Sequence, residues 1–137
     1  MGDEKTLVVQ TGIRFAGLCA HHLLPFSGWS AIGYLPSERV VGHSKLTRLV
    51  YAAGHLAPTT QEHITNLIAD TLWKSESIKP RGVAVVASAF HTCMSARGVE
   101  APISTRTITS ATRGAFLDVP ALEAKFMDFV KMSGRDL

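Results

Sequence analysis

The chain has 137 residues, 46% of them hydrophobic and 18% charged, which is typical of one globular domain with a buried core. We therefore expect a single domain over residues 1–137, and no apolar run approaches the ~20 residues that span a bilayer. The net charge of +3 is evenly spread and the aromatic share is only 7%, so the composition gives no sign of a nucleic-acid surface, and the positive charge could equally serve a small polyanion.

The first five residues are polar and lack the apolar stretch of a signal peptide, which predicts a cytoplasmic protein. In that compartment the two cysteines are more often metal ligands or reactive thiols than a disulfide. A bridge between Cys19 and Cys93 remains the alternative at this point.

Two strands and two helices are predicted first. Period-two patterns predict strands over residues 6–16 and 29–35. Helical spacing then predicts a helix capped by Ser44 and ended by Gly54, and a second that starts at Thr59 or Thr60. The first strand is expected to place five side chains on one face: Leu7, Val9, Thr11, Ile13 and Phe15.

Two further strands are predicted over residues 83–94 and 105–116, and Val119-Pro120 opens a last helix. The order β-β-α-α-β-β-α predicts one α+β domain, with four antiparallel strands and helices on one face. Such a sheet leaves two open edges, which neighbouring copies tend to complete, so a homo-oligomer is expected.

Both cysteines lie beside histidines. In Cys19-Ala20-His21-His22, the first and last residues are three apart and converge in a turn, while in His91-Thr92-Cys93 the two end residues share a strand face. Thiolate and imidazole are ligands that zinc prefers. We interpret Cys19, His22 and Cys93 as zinc ligands, with His21 and His91 in proton transfer. A closed structural zinc site with a fourth histidine is the alternative.

Two segments carry residues that are able to bind a nucleotide. The predicted helix start at Ser44, with Lys45 and Arg48 on one face, has the elements of a phosphate site, although such cations also form ordinary solvated helix faces. At the start of the second helix, Glu62 is able to accept N–H donors from a planar ligand such as guanine. However, Thr59-x-x-Glu62 also matches a capping box.

Five segments, in order, resemble the GTP cyclohydrolase I family. They are residues 18–26 (LCAHHLLPF), 41–48 (VGHSKLTR), 61–65 (QEHIT), 82–98 (from GVAVV to HTCMSARG) and 106–110 (RTITS). The resemblance covers most of the chain and is specific because the segments keep the family's order.

The resemblance implies a tunnelling fold (T-fold), in which sheets of several subunits join into a barrel. It also implies a decamer of two pentameric rings with active sites between subunits, zinc as cofactor and GTP as substrate. The products would be 7,8-dihydroneopterin triphosphate and formate, for folate-type pterins or 7-deazaguanine compounds. By position, Cys19, His22 and Cys93 match the family's zinc ligands. His21 and His91 match its catalytic histidines. Ser44, Lys45, Arg48 and Arg97 match triphosphate contacts, and Gln61 with Glu62 matches the guanine site.

Three departures from the family pattern stand out. Ala20 occupies the position of a family glutamate, the stretch between Val50 and Gln61 is one residue longer, and the family's N-terminal helical region is expected to be missing. The alternatives to full catalysis are therefore a partial reaction on a purine nucleotide and a non-catalytic homologue that binds one. A nitrile reductase of the same fold is disfavoured, because the set of metal ligands is complete.

Overall fold

The computed structural model describes residues 6–20, 23–91 and 105–133 of the chain. The strands in these ranges are β1 (Val8–Leu18), β2 (Pro25–Leu35), β3 (Gly82–His91) and β4 (Thr107–Gly114). The helices in them are α1 (His43–Gly54), α2 (Gln61–Trp73), the short α3 (Ala115–Asp118) and α4 (Pro120–Met132). No helix within the described ranges combines the length and apolar character that crossing a membrane requires.

The four strands form one antiparallel sheet in the order β1-β2-β3-β4. Each strand pairs with the strand that precedes or follows it in the sequence. Helices α1 and α2 are inserted between β2 and β3. This arrangement confirms the predicted order of strands and long helices, to which the structure adds α3.

Helices cover both faces of the sheet. On one face, Val85 of β3 belongs to the same core as Leu46 of α1 and Ile68 of α2. On the other, Val86 belongs to a second core with Phe126 of α4. The expectation of helices on one face only is therefore wrong, because β3 is apolar on both sides and each side needs a cover.

Strand β1 changes face along its length. Just before Ile13 it has one residue more than β2, and Gly12 adopts a φ of 71° there. Leu7 and Val9 pack in the core under α4, whereas Ile13 and Phe15 pack in the core under α1 and α2. The predicted common face is wrong, because a bulge of one residue reverses the side on which all later side chains lie.

Several element boundaries differ from the prediction. Strand β2 begins at Pro25 rather than at residue 29. Strand β4 ends at Gly114 rather than at residue 116, because Gly114 has a φ of 68° and Ala115 begins α3. Helix α1 begins at His43 after Gly42, so Ser44 lies within the first turn and is not the N-cap that was predicted. Residues 92–94 of the predicted third strand lie outside the described residues.

A polar contact ties β4 to α2 on the side of the sheet that faces these helices. Arg113 donates from Nε to Asp70 Oδ1 and from Nη2 to Asn66 Oδ1, both at 2.9 Å. The Arg113 side chain is 24% exposed and that of Asp70 is 41% exposed, so solvent weakens the ion pair without removing it.

Replacing Arg113 with alanine is expected to lower the free energy of unfolding by about 1–2 kcal/mol, because two charge-assisted hydrogen bonds are lost. Urea denaturation measures the change. Arg113→Lys is the matched control and should be intermediate, since an ammonium group does not reproduce the forked contact with both partners. An alanine variant as stable as the parent protein would show that the contact contributes nothing.

Candidate active site

The candidate site lies at one end of the sheet, where β1 and β3 finish and β2 begins. Leu18 pairs with Pro25, and the next residue of β2, Phe26, pairs with His91. Cys19 follows β1 directly, so the two segments that carry the cysteines and histidines start from the same end of the sheet. We call it the Cys19 end.

The backbone around Cys19 is held by a tight set of hydrogen bonds. Cys19 N–H donates to Leu24 C=O at 2.9 Å, and Leu23 N–H donates to Cys19 C=O at 2.8 Å. Leu23 adopts a φ of 56°, a conformation that costs a non-glycine residue free energy and that commonly occurs at functional loops. The backbones of Cys19, Leu23 and Leu24 are thus held together, while the predicted convergence of Cys19 with His22 concerns a residue outside the described ones.

The same loop is bonded to the segment that precedes α2. Thr59 N–H donates to Leu18 C=O, and Ala20 N–H donates to Thr59 C=O, both at 3.0 Å. Cys19 and Thr59 thereby form a short parallel bridge. These contacts fix the start of α2, and with it Gln61 and Glu62, beside the Cys19 end.

His91 is held by two different contacts. Its ring stacks on Phe26 with centroids 4.6 Å apart and an interplanar angle of 15°. Its Nε2 lies 2.6 Å from Gln61 Oε1, at the short end of the hydrogen-bond range. Burial lowers the pKa of His91 below its ordinary value, while the Glu62 carboxylate acts in the opposite direction. Burial therefore favours the neutral form of the His91 ring over the imidazolium.

The Gln61 side chain is almost fully buried, with 1% exposure. Its Nε2 donates to Thr107 C=O and to Thr109 Oγ1, both at 3.0 Å, and more weakly to Ala87 C=O at 3.4 Å. Both ends of this amide thus have partners within the protein. The direct contact between Gln61 and guanine stays a prediction, and the structure provides His91 as the partner of its oxygen.

Glu62 is exposed in the first turn of α2. The N-cap of this helix is Thr60, whose Oγ1 accepts from His63 N–H at 3.1 Å. The alternative of a capping box formed by Thr59 and Glu62 is therefore excluded, because the helix begins one residue later than that motif requires. This leaves the Glu62 carboxylate outside the cap and near enough to His91 to affect its pKa.

Cys19 is a half-buried free thiol, so it is available as a thiolate ligand. The other proposed ligands, His22 and Cys93, lie outside the described residues, as do His21 and Arg97. Within the described part of the chain, no group of three metal-binding side chains is present. The described part of the donor set, a free thiol at the Cys19 end, fits a borderline metal such as zinc.

The proposed phosphate-binding residues lie elsewhere in the chain. Ser44, Lys45 and Arg48 are exposed on the first two turns of α1, whose first turn has no acidic residue. Residues of α1 next to them contact Gln10 near the start of β1: Thr47 Oγ1 accepts from its Nε2 at 3.2 Å. From Gln10 to the Cys19 end the strand runs about 25 Å. These cations therefore lie on the half of α1 that is remote from the Cys19 end, since Gly54 at the other end of the helix lies against Ala16.

Three contributors to the site lie in the segments that resemble the family but were given no role from the sequence: Phe26, Thr65 and Thr109. Phe26 provides the stacking surface for His91. The two threonines lie 2.8 Å apart through their hydroxyl oxygens and touch Gln61. The spacing of four residues between Gln61 and Thr65 is a signal, but the partner on β4 is visible only in the folded chain.

Comparisons with known proteins give the family. The family model described as GTP cyclohydrolase I matches residues 1–131. The GTP cyclohydrolase 1 of Aquifex aeolicus (strain VF5) is 45% identical over 130 residues, which cover 95% of this chain and 68% of that protein. The GTP cyclohydrolase 1 of Bacillus pumilus (strain SAFR-032) is 42% identical over 130 residues, which cover 94% of this chain and 67% of that protein.

A solved structure provides the fold. The crystal structure of the archaeosine synthase QueF-Like in the apo form has a TM-score of 0.64, with 14% identity over 82% of this chain and 98% of that chain. This likeness concerns architecture alone, and it confirms the predicted tunnelling fold. Together with the family-model match and the similar relatives, it leads to one assignment: this chain is an enzyme of the GTP cyclohydrolase I family.

Proposed function

We propose that this enzyme hydrolyses and rearranges GTP to 7,8-dihydroneopterin triphosphate and formate, with zinc as cofactor. The observation that carries the proposal is the cluster at the Cys19 end. There a free thiol, a histidine with a lowered pKa and an exposed carboxylate come together from β1, β3 and α2. Membership of the family provides the reaction that such a cluster performs.

Zinc would be held by Cys19, His22 and Cys93. When bound, the ion supplies a water activated for attack near neutral pH. The contribution of the chain is to provide thiolates and an imidazole and to leave the remaining position to a reactant. The short bonds from Cys19 to Leu24 and Leu23 hold one of these ligands in place before the metal arrives.

His91 would transfer a proton to the guanine ring. Protonation at N7 makes C8 of guanine electrophilic, so that one water adds to C8 and the ring opens to a formamide. A second water then hydrolyses the formamide, which breaks the remaining bond to C8 and releases formate. Because Nε2 of His91 is engaged with Gln61, Nδ1 is the ring nitrogen that takes up and delivers the proton. The lowered pKa favours delivery over retention. His21 is proposed as a second group for proton transfer in the later rearrangement.

Guanine would be recognised by Glu62. An exposed carboxylate near His91 is able to accept two N–H donors from the edge of the base. This contact would set the distance between the base and His91, so that binding and proton transfer use adjacent residues of one helix start and one strand end.

The triphosphate would be bound by Ser44, Lys45, Arg48 and Arg97. Within the described ranges neither Lys45 nor Arg48 forms an ion pair, which leaves both charges available to an anion. Because α1 starts about 25 Å along β1 from the Cys19 end, we propose that α1 of a second copy completes each site in a homo-oligomer. The proposed decamer of two pentameric rings is one such assembly.

The direct test uses purified protein loaded with zinc and supplied with GTP. We expect formate release together with a product that becomes a fluorescent neopterin after oxidation, loss of both signals after chelation, and their return with added zinc. Formate without fluorescence would instead indicate the partial reaction, which the notable departure at Ala20, in place of the family glutamate, would explain. GTP binding without either signal would indicate the non-catalytic homologue.

A further inference from the structure

A closed chain of hydrogen bonds surrounds the Gln61 amide behind His91. Thr65 Oγ1 donates to the backbone C=O of Gln61 at 2.9 Å. The hydroxyl oxygens of Thr65 and Thr109 lie 2.8 Å apart. Thr109 Oγ1 accepts from Gln61 Nε2 at 3.0 Å. Thr65 and Gln61 are almost fully buried, so the bond between them is shielded from water, whereas Thr109 is half-buried.

In this closed set of hydrogen bonds, the acceptors determine which group donates each proton. A carbonyl oxygen only accepts, so the Thr65 hydroxyl donates to Gln61 C=O and the Thr109 hydroxyl donates to Thr65. Thr109 Oγ1 is then left to accept from Gln61. The carbonyl of Thr107 also accepts from the amide, so a flipped amide would place its oxygen 3.0 Å from another oxygen. One orientation of Gln61 is therefore strongly favoured.

In that orientation Gln61 Oε1 faces His91 Nε2, and an amide oxygen accepts only. The neutral His91 ring must consequently carry its proton on Nε2, which leaves the lone pair on Nδ1. A ring with the opposite tautomer would place two lone pairs 2.6 Å apart and would have no lone pair on Nδ1 with which to take up a proton.

We propose that Gln61 is a positioning residue for His91, held in one orientation by Thr109 and Thr65, and that it acts on His91 rather than on guanine. The tautomer part of this inference stands on the hydrogen bonds alone. Its consequence for catalysis rests on the proposed function, in which His91 delivers a proton to the substrate.

The test compares Gln61→Leu, Thr109→Val and Thr109→Ser in the zinc-loaded protein. Nitrogen-15 NMR of histidine-labelled protein, at a pH where the ring is neutral, distinguishes protonated from unprotonated ring nitrogens, and a His91→Asn sample assigns the signals. We expect the parent protein and Thr109→Ser to show only the Nε2–H form of His91. Gln61→Leu should show a mixture of tautomers. Thr109→Val should show a smaller admixture, because the Thr107 carbonyl remains as an acceptor for Gln61.

Steady-state kinetics separate positioning from guanine binding. Gln61→Leu should lower kcat by about tenfold or more with little change in KM, since a lost hydrogen bond of about 1.4 kcal/mol corresponds to tenfold. Thr109→Val should lower kcat less, and Thr109→Ser should restore it. A direct guanine contact predicts the reverse pattern for Gln61→Leu, namely a raised KM with an unchanged tautomer, and that result would overturn the proposal.

The two measurements also separate this inference from the proposed function. If the parent protein did not convert GTP, the NMR comparison would still decide whether Gln61 and Thr109 set the tautomer. An unchanged tautomer in both Gln61→Leu and Thr109→Val would refute the positioning role, whatever the activity of the parent protein.

Discussion

Replacing His91 with asparagine should lower kcat for GTP by about 10²- to 10⁴-fold, which is the range that a positioned proton donor contributes. Asparagine keeps a polar group near Gln61 but has no group that takes up and releases a proton near neutral pH. Formate release and neopterin fluorescence, both measured at saturating GTP, give the change in kcat. The zinc content should stay the same, because His91 is proposed as a proton donor and not as a ligand.

The matched control for this variant is His55→Asn. His55 is an exposed histidine at the end of α1 that stacks on Tyr51 and contacts its carbonyl oxygen. Its replacement should leave kcat unchanged. Equal losses in the two variants would indicate a general effect of removing a histidine, and an unchanged kcat in His91→Asn would remove His91 from the mechanism.

Much of the fold was predictable because it depends on local patterns. A continuous apolar run predicts β3, and the helical stripe that includes Leu46 and Val50 predicts α1. The bulge at Gly12 was not predictable from alternation, since a single inserted residue changes the face while the pattern of apolar residues continues. The second layer, formed by α4, follows from β3 being apolar on both sides, a feature that the prediction did not use.

The residues of the candidate site also differ in how far the sequence predicts their roles. Cys19 and His91 were predicted as site residues from residue type and spacing, because metal and proton chemistry needs those side chains. Glu62 was assigned through the family resemblance, since its spacing from Thr59 alone favoured a capping box. The role of Gln61 toward His91 was not predicted, since a glutamine at the start of a helix is equally suited to a ligand, a cap or a buried amide. Only the approach of α2 to β4 places Thr109 against it, and that approach depends on contacts between residues more than forty positions apart.

Each active site should combine the Cys19 end of one copy with α1 of another. Within a chain, Arg48 lies on a helix whose start contacts Gln10, about 25 Å along β1 from the Cys19 end. Cys19→Ser should remove the metal, and Arg48→Ala should weaken triphosphate binding, so each variant alone should be nearly inactive at GTP concentrations well below KM.

Co-expression of these two variants in equal amounts should restore activity. If the two parts of a site come from different copies and the copies mix at random, about a quarter of the sites receive an intact Cys19 and an intact Arg48. If both parts came from one copy, no site would be intact and mixing would give only the mean of the two weak activities. Activity that rises to about a quarter of the parent value therefore requires a shared site.

A double variant with both substitutions in one chain is the matched control, co-expressed in equal amounts with the parent chain. A shared site again leaves about a quarter of the sites intact, whereas a site within one copy leaves about half. The two mixtures should thus have equal activity if α1 acts on a neighbour. An inactive first mixture together with a half-active second one would place Arg48 and Cys19 of the same copy in one site and would refute the shared site.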